Sequence, residues 1–155
     1  MWLEASFVHL TQALLWPVLL LVAAGFLFAV WSAGAALMEA WQRRKWPHWR
    51  ALQTHDGLSL DELELAVVRQ LEPVRLLARL SPMLGLIATM IPLGPALQKV
   101  AEGQGQQALA VFSGAFAGVV LALASASIGL AVHSVRRRWL LAELLAVRRE
   151  RGVSA

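Results

Sequence analysis

Cysteine is absent from this chain. No disulfide, no thiolate nucleophile and no soft-metal thiolate site is therefore available. Charge is scarce too, at 15% of residues against about 25% in a soluble domain. It is also blocked rather than spread: residues 5–38, 80–98 and 103–135 contain no Asp, Glu, Lys or Arg. Catalytic signatures are missing as well. There is no G-x-S-x-G, no P-loop and no H-E-x-x-H. The histidines His9, His48, His55 and His133 have no metal-ligand spacing to one another or to a carboxylate. An enzyme needs a positioned acid, base or nucleophile, and these residues do not supply one. Neither an enzyme, a metal site nor a cofactor is expected.

What remains is apolar. Of 155 residues, 58% are hydrophobic, and the mean hydropathy is +0.59. Residues 5–38 are long enough to span a bilayer with tilt. Residues 80–98 come close to the ~20 that a ~30 Å hydrocarbon core requires. In 103–135 the first residues (GQGQQ) are polar, so the apolar part starts near Ala108. A lipid-exposed span must satisfy its own backbone. The chain is therefore expected to be an all-α membrane protein with three transmembrane helices. It divides into a first transmembrane helix at 1–38, a cytoplasmic loop and amphipathic helix at 39–79, and helices 2 and 3 with a cytoplasmic tail at 80–155. The first run has no Lys or Arg before it and exceeds the 7–15 residues typical of a signal-peptide core, so it is read as a span.

Orientation follows from the cations. Of the 14 Lys and Arg residues, all but Lys99 fall in the segment after the first span or in the tail. The positive-inside rule then puts the N-terminus outside and the C-terminus inside. The pI near 11.0 reflects this topology and contact with anionic membrane lipids, not nucleic acid. Trp2, Trp16, Trp31, Trp41, Trp46, Trp49 and Trp139 gather toward span ends, as interfacial anchors do.

RRKWPHWRALQTHDG reads as a loop. After it, Ser59 and Glu62 form a capping box that opens a helix. Leu60, Leu63, Val67, Leu71, Val74 and Ala78 recur at helical spacing and predict one buried stripe. Glu72 lies three before Arg75, a helical pairing, and Pro73 is expected to kink or interrupt the helix. In the tail, Leu140, Leu141, Leu144, Leu145 and Val147 are expected to face something apolar. Both segments are read as cytoplasmic extensions that bundle together; lying flat on lipid is the alternative for the tail. His133, near the end of helix 3, is read as an interface residue, with a proton relay as the alternative.

Small residues line the spans. On helix 3 one stripe runs Gly114, Gly118, Ala122, Ser125 and Gly129, starting with G-x-x-x-G, which lets helix backbones approach closely. A second runs Ser113, Ala117, Ala124, Ser127, Ala131 and Ser134. Two small faces imply close protein neighbours on two sides, as in repeated copies around a centre. On helix 2, Pro82, Gly85, Thr89, Pro92 or Leu93, and Ala96 give a narrow face. The Thr89 hydroxyl can bond back to a carbonyl one turn earlier or be offered to a pore.

PMLGLIATMIPLGPAL, from Pro82 to Leu97, resembles the second transmembrane helix of the MotA/TolQ/ExbB proton-channel family. LEPVRLLARL before it and VRRRW after helix 3 resemble the flanks in that family, so the likeness covers about residues 60–145. It implies a ring, typically a homopentamer in a prokaryotic inner membrane, around single-span partners that each bring a proton-binding aspartate. The proton motive force would drive the motor, with protons as the transported ion. Thr89, Ser125, Ser127 and Gly118 would line the ion pathway. Pro82, Gly85, Pro92 and Pro95 would shape the pore helix, while Gly114, Gly118 and Gly129 would pack helices. The family's usual Gly-Thr is Ala88-Thr89 here. Its helix 3 threonine falls on Gly118 in one register and on Ala126, between Ser125 and Ser127, in the other. The alternative function is a non-conducting three-span scaffold that anchors a partner protein. A small-solute transporter is a weaker fit, since no inverted repeat or substrate-binding charge is visible.

Overall fold

The computed structural model describes residues 2–46 and 59–150, with side chains from residue 9 onward in the first helix. The expected loop around His48, Trp49 and His55, and Arg151 in the tail, lie outside the described residues, as does the Trp2 side chain. Three helices make up the fold: α1 (Trp2–Lys45), α2 (Leu60–Ala101) and α3 (Gly105–Glu150). All three are long and apolar enough to cross a membrane. With 44, 42 and 46 residues, each is about 63–69 Å long at 1.5 Å per residue. That is roughly twice a hydrocarbon core, so each helix carries a polar extension beyond its apolar run.

The α2–α3 hairpin turns in three residues. Gly103 takes a left-handed backbone with φ 78°, a conformation without steric cost only for glycine. Around it the Gln104 N–H donates to the Lys99 carbonyl (2.8 Å) and the Gly103 N–H to the Val100 carbonyl (3.0 Å), the Schellman pattern that ends a helix. So tight a turn puts residues 60–79 and 136–150 at the same end of the molecule. The end of α1 joins them there, making α1 parallel to α3 and antiparallel to α2.

At the other end of α2 the expected capping box is present. The Ser59 N–H donates to Glu62 Oε2 (2.8 Å), and the Glu62 N–H donates to Ser59 Oγ (3.3 Å). Four of the six residues of the predicted stripe, Leu63, Val67, Leu71 and Val74, are buried, while Leu60 and Ala78 at its ends are half-buried. Leu63, Val67 and Leu71 meet Leu140, with Leu144 and Val147 packed against them. The two extensions thus bundle together. Leu141 and Leu145, expected to be covered, are exposed on the far side of α3.

Two boundaries differ from expectation. The first helix runs on to Lys45, so Arg43, Arg44 and Lys45 are helical rather than part of a loop. Pro73 does not interrupt α2, which continues through Pro73, Pro82, Pro92 and Pro95. Proline removes only one N–H donor, and packing against a neighbouring helix can hold the rest of the turn in place.

The interior is built from small side chains and the exterior from large ones. In α1 the buried positions are Val18, Val22, Ala29, Ser32, Ala36 and Glu39, stepping by three or four except for the two-turn step of seven from Val22 to Ala29. In α3 the spans bury Ala115, Gly118, Ala122, Ser125, Gly129 and Val132 in the same rhythm, a near-heptad seam. Leu20, Leu27, Leu86, Phe116, Val120 and Leu130 point outward. In lipid, leucine gains nothing by hiding, while small residues gain van der Waals contact by letting backbones approach. Trp16 and Trp31 are 74% and 71% exposed, in keeping with anchoring rings.

Candidate functional site

In the spans α2 and α3 approach closely along a seam of small residues. A Cβ added at Gly85 would meet the Ala122 Cβ at 2.9 Å, and one at Gly118 would meet the Ala88 Cβ at 3.6 Å. One at Gly129 would meet the Ala78 backbone N at 3.4 Å. Ala88 is fully buried and Ser125 is 1% exposed. The first small stripe of helix 3 therefore packs against α2 from Gly118 to Gly129. Gly114, its first member, has no atom of another helix within 4 Å of such a Cβ. Most of the second stripe is exposed, including Ser113, Ala117, Ser127, Ala131 and Ser134.

The sequence-derived pathway residues are divided by this seam. Gly118 and Ser125 sit inside it, Ser127 faces outward, and Thr89 is half-buried beside it. Gly85 belongs to the packing contact, while Pro82, Pro92 and Pro95 are half-buried along the same helix. The Thr89 hydroxyl donates to the Leu86 carbonyl (2.8 Å), Ser125 to Leu121 (2.7 Å) and Ser127 to Leu123 (2.9 Å). Each hydroxyl keeps its oxygen lone pairs as acceptors. Each proline withholds an N–H from the carbonyl four residues earlier: Ala78 for Pro82, Ala88 for Pro92 and Ile91 for Pro95. Of the residues bearing these oxygens, Ser125 and Ala88 are closed in the seam, Thr89 is half-buried and Ser127 is exposed.

A second constellation was not anticipated from the sequence. Where the polar extensions begin, Glu39 and Arg43 of α1 meet Arg136 and Glu143 of α3. Arg43 lies 2.8 Å from Glu39 and 2.5 Å from Glu143, while Arg136 Nε reaches Glu39 at 3.2 Å. The Arg43 guanidinium stands 5.0 Å over the Trp139 ring. Glu39 and Glu143 are only 8% and 7% exposed. Two acids and two bases balance, which keeps the desolvated charges paired. The only sequence signal was the i, i+4 spacing of Glu39 and Arg43; its partners are nearly a hundred residues away. Trp139, expected as an anchor, is half-buried beneath this group.

Among the described residues no three His, Asp or Glu side chains gather as metal ligands. Compared with family models, curated proteins and solved structures, the chain finds no match.

Proposed function

We propose that this chain is the ring subunit of a proton-motive-force-driven channel or motor of the MotA/TolQ/ExbB kind. In this reading several copies, five in the family's usual arrangement, surround single-span partners in a prokaryotic inner membrane, with the N-terminus outside. The observation that carries it is the two-faced third helix. One small face is already packed on α2, and the other remains exposed. Ala131 of that open face also lines a groove of about 340 Å³ between α1 and α3, with Ala33, Leu37 and Ile128 among its walls. Small outward residues in lipid gain nothing unless another helix approaches them, and a neighbouring copy is such a helix.

The oxygens at Thr89 and the proline-freed carbonyls suit the second part of the proposal. The predicted spans carry no Asp or Glu, so the proton carrier comes from a partner. A buried carboxylate costs several kcal/mol unless solvated or neutralised, and these oxygens provide partial solvation. The local bonds of Thr89, Ser125 and Ser127 are all that the second reading, a non-conducting three-span anchor, asks of those hydroxyls. Native mass spectrometry of the chain, co-expressed with a neighbouring single-span protein and extracted in mild detergent, separates the two. Five copies around two partners are expected; a monomer, a dimer or an empty ring puts the anchor reading first.

A further inference from the structure

Between the polar extensions of α2 and α3 lies a pocket of about 420 Å³, lined by Val68, Leu71, Glu72, Arg75, His133 and Arg137. On α2 the lining residues step by three and one, the spacing of one helix face, and His133 and Arg137 are one turn apart on α3. The pocket therefore opens along the groove between two helices. Its charged groups are two arginines and one glutamate, a net charge of about +1 from these three. His133 adds a further polar group, and its Nδ1 is buried without a hydrogen-bond partner.

The depth is as informative as the charge. Gly129 of α3 lies against Ala78 of α2, at the level where the charge-free run of α2 begins. Arg75 and His133 lie about one turn beyond that level, some ~5–7 Å along the helix axis. This matches the offset of the headgroup layer from a ~30 Å core in a ~40–45 Å bilayer. Followed back into the span, the same helix faces carry Met83 and Leu86 on α2 and Leu130 and Leu123 on α3, all exposed. The site thus joins a cationic cup at phosphate depth to an apolar track at acyl-chain depth.

From this geometry we infer that the pocket is a binding site for the phosphodiester headgroup of an anionic phospholipid. Arg75 and Arg137 grip the phosphate oxygens from opposite helices, and His133 lines the wall between them. The acyl chains run up the groove past Met83 and Leu130. One phosphodiester charge neutralises the net charge of the cup, so an anionic lipid with a neutral headgroup fits better than a zwitterion, whose cationic group would meet the arginines. Glu72 opposes the ligand and limits its affinity. Such a lipid would bridge α2 to α3 whatever larger assembly the chain forms.

The test is native mass spectrometry of the purified full chain in mild detergent, titrated separately with phosphatidylglycerol, phosphatidylcholine and inorganic phosphate. Phosphatidylglycerol is expected to be retained at about tenfold lower concentration than phosphatidylcholine. Combined Arg75→Gln and Arg137→Gln should erase that preference. Arg69→Gln, which removes one charge from α2 outside the pocket lining, should leave it intact. Glu72→Gln should strengthen phosphatidylglycerol retention severalfold, a gain that a misfolded variant does not give. An unchanged preference for phosphatidylglycerol in the double variant, or loss of that preference in Arg69→Gln, overturns the site. Displacement of phosphatidylglycerol by millimolar inorganic phosphate overturns the lipid assignment in favour of a soluble anion.

Discussion

Gly85 and Ala122 pack so closely that a methyl group on Gly85 would stand 2.9 Å from the Ala122 Cβ and 3.6 Å from the Val119 Cα. Neither neighbour is the end of a flexible side chain. The contact can only be relieved by parting the two helices.

Gly85→Ala is therefore expected to destabilise the α2–α3 pair by about 1–3 kcal/mol, the usual range for overpacking. Adding Ala122→Gly should restore most of the loss, because the clash is between these two carbons. Denaturant unfolding of the detergent-purified protein measures both. Gly114→Ala, which meets no atom of another helix, should leave unfolding within about 0.5 kcal/mol. Any loss of oligomer in that variant would locate a neighbouring copy at Gly114.

The Glu39–Arg43–Glu143–Arg136 group is a polar tie between α1 and α3. Glu143→Gln leaves Arg43 with fewer carboxylate oxygens in a largely covered site, at an expected cost of about 1–3 kcal/mol after allowing for the partial exposure of both arginines. A double-mutant cycle with Arg43→Gln should return a coupling of at least about 0.5 kcal/mol. Additive effects would mean that the pair contributes packing only. Because the group is mostly covered, the coupling should survive 0.5 M salt better than an exposed pair would.

Thr89→Val keeps the shape of the side chain and removes its hydroxyl. If the proposed channel uses that oxygen, proton flux in reconstituted complexes should fall by about an order of magnitude or more, while assembly stays unchanged. Ser127→Ala provides the comparison on the opposite helix. Full flux in Thr89→Val would leave that hydroxyl with its local bond to Leu86 as its sole role.

The capping box carries a pH signature. The Ser59 backbone N–H, and secondarily its hydroxyl, hold the Glu62 carboxyl below its ordinary value of 4.5, with desolvation opposing them weakly. A carboxyl lowered in the folded state stabilises fully above its unfolded pKa. That contribution is lost as pH falls through the lower folded value. Amide exchange at residues 59–63, corrected for intrinsic rates, should show the start of α2 fraying as pH drops below the ordinary carboxyl value of 4.5 and through the lower folded one. Glu62→Gln should abolish this pH dependence while retaining an uncharged side-chain acceptor.

How much of this was legible in the sequence depends on the range of the interaction. The charge-free runs, the Ser59–Glu62 cap and the Leu63–Val67–Leu71 stripe are local patterns, written in spacings of three or four along one helix. Their geometry needs nothing from elsewhere in the chain. The small residues of α3 were equally visible, but periodicity says where a helix can be approached and not by which neighbour. Only the register of α2 against α3 decided that Gly118, Ala122 and Gly129 would be consumed in the seam while Gly114 and Ser127 stayed open. The same register placed Arg75 opposite His133 and Arg137.

The sequence by itself determined three long apolar helices, their polar ends and one helix start, since hydropathy and capping act over a few residues. The tertiary structure decided which glycine touches which alanine and that Glu39 would find Arg136 across 97 positions of chain. Such contacts arise from the relative placement of whole helices. In lipid that placement is set by the fit of small side chains, which leaves little trace in hydropathy.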